Sequence, residues 1–287
     1  MRIAFVTMVW QDQAFLDLWL RYYGAMVGRA HLYVLNHGGD PGTAAQAEGA
    51  NVLAIPRDPP DARFDQRRWA MLSDIASGLS RIYDIVVVGD VDELILPLTP
   101  GLSLAAHLQA CPPQGLSAPA GYELFPDQPD PIDLRRPVLR QAGEGVLSGA
   151  YSKPCLLTGP VRLGAGGHGS RTRFALRPDL ALLHLRFLPL PGQEARRRER
   201  AALARAASAE ASRSFLAGWR RAETVQARIR ARFEVAPRVP SAMAAERAGP
   251  ILEAARRQKG ALHGIDMQQV RRAAFRLVLD EALRDLF

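Results

Sequence analysis

A cluster of carboxylates follows an apolar run in the middle of the chain. Ile85–Val88 leads into Gly89 and then into Asp90, Asp92 and Glu93. Four apolar residues in a row, three of them valine, are typical of a strand buried on both faces of a mostly parallel sheet. Ligands bind at the carboxyl ends of the strands in open α/β sheets. Because like charges this close repel one another, we interpret the cluster as a magnesium or manganese site completed by substrate phosphates, the alternative being a solvated acidic loop.

The segments around this cluster alternate between strand and helix. Apolar residues recur at helical spacing after the first strand, as at Phe15, Leu18 and Tyr22. The predicted elements are strands at 2–8, 31–35, 51–55 and 85–88 and helices at 13–27, 43–49 and 64–79. This order is typical of parallel βαβ units with right-handed crossovers. We therefore predict an α/β fold with a mostly parallel sheet flanked by helices.

The second half of the chain has a different pattern. Short strands are predicted at 173–176 and 180–187, after a stretch rich in glycine, proline and charged residues. The break Pro-Leu-Pro-Gly at 189–192 precedes segments with helical apolar stripes at 194–233, 241–259 and 266–287. We predict a catalytic domain over residues 1–190 and a basic helical C-terminal extension over residues 193–287.

Positive charge is concentrated in the predicted extension. The net charge is +8, and residues 193–287 hold 20 basic and 11 acidic side chains, whereas residues 1–192 hold 17 and 18. The arginines between 196 and 200 could contact an anionic lipid surface, an acidic polysaccharide or nucleic acid, or form a solvated helix face. The sequence has no zinc-ligand spacing, RNP-type aromatic pair or helix-turn-helix pattern, so nucleic acid is not the partner we expect.

Cysteine usage and hydropathy do not indicate secretion or membrane insertion. Cys111 and Cys155 alone do not make a disulfide framework or a metal knot. No apolar run approaches the ~18 residues that a membrane helix needs, and the first residues do not resemble a signal peptide. We expect a cytoplasmic protein, with peripheral contact at the inner membrane face as an open alternative.

Several short motifs occur in an order and spacing that a known family shares. They are Phe-Val-Thr-Met at 5–8, Trp-Gln-Asp at 10–12, an aromatic-rich helix at 15–23, Asn-His-Gly-Gly-Asp-Pro-Gly at 36–42 and Val-Gly-Asp-Val-Asp-Glu-Leu at 88–94. With these motifs, residues 1–190 resemble the GT-A glycosyltransferases of the family 2 type, in the bacterial branch with an Asp-x-Asp-Glu motif. Lys-Pro-Cys-Leu-Leu at 153–157 and Leu-His-Leu-Arg-Phe at 183–187 resemble later signatures of that family. The resemblance implies a GT-A, Rossmann-like domain, a nucleotide-sugar donor and a divalent metal, Mn²⁺ or Mg²⁺.

The resemblance also implies roles for residues near the sheet edge. Asp92 would bind the metal directly, and Asp90 would bind it through water or would bind the donor ribose. Glu93 would orient the motif or face the acceptor, which makes it a catalytic candidate. The predicted nucleotide site includes Thr7, Asp12, Asn36 and Asp40. A UDP-sugar is the first donor we expect, although Gln-Asp at 11–12 replaces the Asn-Glu of the family and the loop at 36–42 lacks its leading Asp.

Two histidines and two cations are further candidates for this site. His168 lies in a glycine-rich loop, and His184 lies in an apolar strand where a satisfied core histidine is the alternative. We carry both as candidate metal ligands, since imidazole suits a site with two carboxylates. Lys153 and Arg68 could contact the donor phosphates, or could lie on the surface.

A transferase that inverts configuration needs a general base near the acceptor hydroxyl. The loop after the metal motif supplies three candidates, Glu123, Asp127 and Asp130, each of which could instead be a solvated loop residue. If the enzyme retains configuration, no such base is required.

We therefore predict a metal-dependent glycosyltransferase that moves a sugar from a nucleotide-sugar to a saccharide or lipid-linked acceptor, as in polysaccharide biosynthesis. A homodimer through the C-terminal helices is a further expectation. The alternatives are a nucleotide-sugar-binding regulatory or scaffold protein without catalysis, and a nucleic-acid-binding protein that uses the arginine-rich helices.

Overall fold

Four parallel strands form one side of the central sheet. The computed structural model describes residues 1–57, 61–206 and 222–287. The strands are β1 (Ile3–Val9), β2 (Leu32–His37), β3 (Asn51–Ile55) and β4 (Ile85–Val88), in the order β3-β2-β1-β4. They alternate with the helices α1 (Gln13–Val27), α2 (Pro41–Gln46) and α3 (Phe64–Leu79). The predicted α/β fold, with a largely parallel sheet flanked by helices, is confirmed.

The register of β1 and β4 determines which residues meet at the edge of the sheet. Ile3 pairs with Ile85 and Val6 with Val88, and every residue of both strands is buried. The amide of Gly89 donates to the carbonyl of Val6 over 3.1 Å. The residues that follow β1 and β4 therefore emerge side by side at one edge.

Helix α1 packs its aromatic face on the sheet, as the periodicity predicts. Phe15, Trp19 and Tyr23 are buried, and Phe5 of β1 stacks on Tyr23 at a centroid distance of 4.0 Å. The hydroxyl of Tyr22 donates to the carbonyl of Ile95 over 2.8 Å, which satisfies a polar group inside the core.

The middle of the chain extends the sheet with strands in both directions. These strands are β5 (Glu93–Pro97), β6 (Leu116–Phe125), β7 (Glu144–Leu147), β8 (Leu156–Leu157) and β10 (Ala175–His184), with helix α4 at Leu104–Ala110. The short β9 (Gly169–Ser170) belongs to a separate small sheet. The two strands predicted at 173–176 and 180–187 form the single strand β10, with an irregularity between Arg177 and Ala181. Strand β10 runs antiparallel to β5 and parallel to β6, so its last residue, His184, lies opposite both Glu93 and Glu123.

The C-terminal third contains strands as well as helices, and the expected all-helical extension is not confirmed. Its elements are α5 (Gln193–Ala206), α6 (Ala222–Val235), β11 (Arg238–Pro240), α7 (Ser241–Ala254), β12 (Arg256–Lys259), β13 (Leu262–Ile265), α8 (Met267–Ala273), β14 (Arg276–Val278) and α9 (Glu281–Arg284). The helix predicted over 194–233 falls partly on residues 207–221, outside the described residues.

Pairing with distant strands explains where the helical prediction was wrong. Gly260, at a φ of +58°, makes the turn between β12 and β13, which form a small sheet with β9. Strand β14 pairs with β7, so Leu277 is buried in the main sheet although the apolar spacing around it also fits a helix. The division into two domains stays a prediction. In the described part of the chain, no helix is both long and apolar enough to cross a membrane.

Candidate functional site

A cleft opens at the carboxyl ends of β1 and β4. Its volume is about 240 Å³. The ionisable side chains of its lining are Asp12, Asp65, Arg68, Asp90, Asp92, Tyr151, His168, His184, Arg186 and Arg200, and Met8, Phe64, Val91 and Gly166 complete the wall. The predicted acidic cluster thus reaches a cavity through Asp90 and Asp92, whereas Glu93 is not among the lining residues.

Asp90 is held between two cations. One of its carboxylate oxygens accepts a hydrogen bond of 2.6 Å from Arg68, and the other lies 3.3 Å from the ammonium of Lys153. Burial alone would raise the pKa of Asp90, but Arg68 and Lys153 outweigh it and hold the pKa well below its usual range. Asp90 therefore keeps its negative charge, and the cations that balance it come from the protein itself.

Glu93 points into the protein and not into the cleft. Its carboxylate lies 2.7 Å from the ammonium of Lys153, and each of these two side chains is only 1% exposed. Burial raises the pKa of Glu93 to about 7, against the opposing effect of Lys153. The amide of Asp90 also donates to Glu93 over 3.2 Å, so the contacts of Glu93 hold the turn between β4 and β5.

Asp92 faces a histidine that lies between two carboxylates. The Nε2 of His184 is 3.4 Å from Asp92, and its Nδ1 is 2.7 Å from Glu123. Desolvation would lower the pKa of His184, but the carboxylates of Glu123 and Asp92 outweigh it and raise the pKa to about 9. Tyr151 stacks on the imidazole at a centroid distance of 3.7 Å. These two carboxylates favour the protonated imidazole, in which both ring nitrogens donate.

His168 differs from His184 in its hydrogen bonding. Its Nδ1 lies 2.8 Å from the carbonyl of Ala150, an acceptor, so Nδ1 carries the proton. In the neutral ring this leaves Nε2 with a free lone pair, the arrangement in which a histidine binds metal. Although the residue is exposed, desolvation of the ring and the charge of Lys153 lower its pKa, which favours the neutral form. Gly166 has a φ of +66°, and a Cβ there would meet the ring of His168 at 2.4 Å.

The donor set fits an open metal site and not a closed one. Among the described residues, no three side chains of His, Cys, Asp or Glu are grouped so that they could hold a metal ion. Magnesium commonly binds through only one or two carboxylates and takes its other ligands from water and substrate phosphates. Asp92 and Asp90, both ionised and both in the cleft lining, meet that smaller requirement.

Helix α5 lies over the loop after β1 and brings arginines to the cleft. Arg196 donates to the carbonyl of Trp10 over 2.7 Å, and its guanidinium lies 4.4 Å from the centroid of the Trp10 ring. Arg200 pairs with Asp12 and lines the cleft. Desolvation raises the pKa of Asp12, and the two arginines oppose that shift. From the sequence, these arginines were expected to form a solvated helix face or to bind a polyanion. Their spacing of four positions, from Arg196 to Arg200, already indicated that both lie on the same side of the helix.

A smaller cavity adjoins the cleft and could hold a flat ring. Its volume is about 170 Å³, and it shares Met8, Phe64 and Arg68 with the cleft. His37, at the end of β2, stacks on Phe64 at a centroid distance of 5.4 Å. Arg68 lies in the lining of both cavities, so one cation lies between them.

The predicted nucleotide-site residues of the second loop have structural contacts. The side-chain amide of Asn36 binds the backbone of Asp40 twice: its Nδ2 donates to the carbonyl of Asp40 over 2.8 Å, and its Oδ1 accepts from the amide of Asp40 over 3.0 Å. Asp40 also caps α2 by accepting from the amide of Thr43. Thr7 is fully buried and, like Asn36 and Asp40, is not part of the cleft lining.

The predicted general bases lie away from the lining of the cleft. Glu123 is buried behind His184. Asp127 accepts from the amide of Gly143 and lies 3.4 Å from Arg284. Asp130 is exposed and does not line the cleft. The cleft instead contains Asp65, which sequence reasoning missed; burial raises its pKa against the charge of Arg68.

Comparison with known proteins leaves the family open. No family model matches the chain, and no curated protein matches it. Among solved structures, the chain is similar to the crystal structure of mannose-1-phosphate geranyltransferase from Thermus thermophilus, at 13% identity and a TM-score of 0.30. The match covers 56% of this chain and 51% of that one, so it spans about half the length of the relative. At these values the similarity supports no inference about activity.

Proposed function

We propose that the protein is a glycosyltransferase that takes a sugar from a nucleotide-sugar donor and transfers it to a saccharide or lipid-linked acceptor. The observation that carries this proposal is the pair of ionised aspartates, Asp90 and Asp92, in a cleft at the carboxyl ends of parallel strands. Ligands of open α/β sheets bind at this edge. The motif resemblance supports the same site.

The charges around the cleft suit a nucleoside diphosphate. Arg68, Arg186 and Arg200 line it, and a guanidinium can donate two parallel hydrogen bonds to a phosphate. The smaller cavity beyond Arg68 is walled by the stacked rings of His37 and Phe64, and we place the nucleobase there. The diphosphate would then cross Arg68 into the main cleft, with the sugar beyond it.

The chemistry requires stabilisation of the leaving group. Transfer breaks the bond between the anomeric carbon and the diphosphate and forms a bond to the acceptor oxygen, so negative charge develops on the diphosphate. Cations that are already in place stabilise such charge without reorganisation. Arg68 is fixed by Asp90 and by Asp65, at 2.6 and 3.4 Å, and is therefore positioned before the donor binds.

A divalent ion would be held by Asp92, with Asp90 beside it, and would act there as a Lewis acid on the diphosphate. Of the two histidines, His168 has the lone pair that a ligand needs, whereas His184 is charged and orients Asp92. Asp90 already contacts two cations of the protein, Arg68 and Lys153, which compete with a metal ion for its oxygens.

The proposal is tested by thermal shift with a panel of nucleotide-sugars, with Mn²⁺ and with EDTA. A ligand at a hundred times its dissociation constant should stabilise the fold by about 2.7 kcal/mol, a shift of a few degrees for a chain of this size. We expect one nucleotide to shift the melting temperature of the wild type in Mn²⁺, and Asp92→Asn to remove the shift. Asp127→Asn is the matched control, because Asp127 lies outside the cleft lining.

Turnover is measured with the same donors as release of nucleoside diphosphate. A donor that binds without release on any saccharide or lipid-linked acceptor would favour the regulatory function. Absence of a shift with every nucleotide, with or without metal, would refute the transferase. Binding of nucleic acid through α5 is less favoured, since Arg196 and Arg200 are turned toward Trp10 and Asp12.

A further inference from the structure

A second large cavity lies away from the cleft, between the start of β10 and the β12–β13 hairpin. Its volume is about 480 Å³. Arg173, Phe174, Arg256, Arg257 and His263 contribute to its lining, together with one acidic residue, Glu253. A cavity with three arginines and a single carboxylate has a positive potential, which favours an anionic ligand.

One of the three arginines is fixed, and the other two are available. The guanidinium of Arg256 donates to Glu253 over 2.8 Å and to the carbonyl of Phe174 over 2.9 Å. It also lies 5.5 Å from the centroid of the Phe174 ring, which is buried. Within residues 1–57, 61–206 and 222–287, the guanidinium groups of Arg173 and Arg257 have no salt-bridge or hydrogen-bond partner. Both side chains are exposed, and Arg257 lies near enough to Asp266, outside the cavity lining, for their charges to interact.

The cavity is joined to the cleft by a short, well-paired segment. His168 lines the cleft, and β9 follows it directly and pairs with β13, with Gly169 opposite Gly264. A Cβ at Gly169 would lie 2.7 Å from the carbonyl of His263, so the two strands approach closely. His168 and Arg173 are five positions apart in the sequence, and an extended chain of that length spans at most about 18 Å. A saccharide chain of a few residues could therefore contact both places.

We propose that this cavity binds an anionic group of the acceptor, a phosphate or a sugar carboxylate, while the reacting hydroxyl lies in the cleft. The proposal rests on the glycosyltransferase function. Arg173 and Arg257 bind the oxyanion, since guanidinium groups match the geometry of both phosphate and carboxylate. Arg256 packs against Phe174, and these two residues form the base of the cavity. The site selects acidic acceptors over neutral ones, and its contribution falls with salt because the arginines are exposed.

The test compares two double variants with the same net charge. Arg173→Gln/Arg257→Gln removes the free arginines of the cavity, and Arg81→Gln/Arg136→Gln removes two exposed arginines elsewhere. Inorganic pyrophosphate and glucuronate are titrated separately by calorimetry at low salt, and they distinguish phosphate from carboxylate. Pyrophosphate bound in the cleft contributes equally to both variants, so their difference reports on the cavity.

We expect at least one anion to bind the cavity variant about tenfold more weakly than the wild type, and the control variant to bind like the wild type. Equal affinity of both double variants for both anions would overturn the proposal. If the cavity variant in that case also self-associated on size exclusion, the role of the arginines would instead be to keep the edge strand β12 from pairing with another molecule. The nucleotide-sugar thermal shift is measured on the same proteins. If the wild type shows no thermal shift with any nucleotide-sugar, the transferase function is refuted. If the two double variants still differ in anion affinity in that case, the cavity binds anions independently of that function.

Discussion

Replacing Lys153 by methionine should destabilise the protein strongly, although methionine fills a similar volume. Lys153 lies 2.7 Å from Glu93 and 3.3 Å from Asp90. The side chains of Lys153 and Glu93 are each 1% exposed, so water cannot replace the lost ammonium. Lys153 therefore offsets the negative charge of Asp90 and Glu93 inside the fold.

The magnitude follows from the pKa of Glu93. That pKa rises from 4.5 to about 7 even with Lys153 present, so the charged form of Glu93 already costs about 3 kcal/mol at neutral pH. Removing one partner of a buried ion pair usually costs about 3–5 kcal/mol. Against a total stability of about 5–15 kcal/mol, we expect the Lys153→Met protein to be marginally stable at pH 8.

The loss should depend on pH in a defined direction. A carboxyl whose folded pKa is raised destabilises the fold only above its unfolded pKa, here 4.5; the penalty grows up to the folded pKa and is constant above it. Without Lys153 the folded pKa of Glu93 rises further, so the penalty in the variant continues to grow at higher pH. The difference between wild type and Lys153→Met should therefore be smaller near pH 5 than near pH 8, because the lost contact with the ionised Asp90 contributes at both pH values. Urea unfolding in EDTA at these two pH values measures it.

Two further variants decide whether charge is the cause. Lys153→Met/Glu93→Gln should recover part of the stability at pH 8, because the buried carboxylate is gone. Lys259→Met, the change of an exposed lysine, should stay within about 0.5 kcal/mol of wild type. A loss that is equal at pH 5 and pH 8, or that Glu93→Gln does not reduce, would refute the reasoning.

Two other predictions concern Gly121, which packs behind Tyr151 of the cleft lining, and His184, which is part of that lining. Gly121→Ala should lower the free energy of urea unfolding by about 3 kcal/mol or more, since its Cβ would lie 2.1 Å from the backbone of Tyr151. Gly78→Ala in α3 is the control, because a Cβ there meets open space and the change should be neutral or stabilising. Similar urea midpoints for both variants would contradict this. Because the pKa of His184 is raised to about 9, its protonation adds stability that is fully present below pH 6.5 and is lost as pH rises through 9. In EDTA, the wild type should therefore lose more stability between pH 6.5 and 9.5 than His184→Gln does. Parallel pH profiles of the two proteins would refute the stabilising contact of His184 with Glu123 and Asp92.

Local patterns in the sequence were enough for the first half of the fold. The apolar run Ile85–Val88 and the helical spacing of Phe15, Trp19 and Tyr22 predicted a buried strand and a packed helix, and both are present. The position of Asp90 and Asp92 follows from the same information, because residues that come directly after a buried parallel strand must lie at the edge of the sheet.

The C-terminal third of the chain shows where local patterns fail to predict the secondary structure. Apolar residues around Leu277 fit both a helix and a short strand, and only the distant partner strand β7 selects the strand. The same holds for β12, which falls at the end of the helix predicted over 241–259; its pairing with β13 overrides the apparent helical stripe.

The electrostatic partners of the acidic cluster were also decided only by the tertiary structure. From sequence, the repulsion between the carboxylates suggested a metal as the balancing cation. In the folded protein, Lys153 lies 63 positions from Asp90 along the chain and still contacts it, and the register of β10 places His184 beside Asp92. Helix α5 likewise brings Arg200 to Asp12 from 188 positions away. The sequence by itself determined that negative charge collects at this edge of the sheet, because that depends on neighbours in the chain; which positive charges balance it depends on long-range strand register and helix docking, which no local pattern contains.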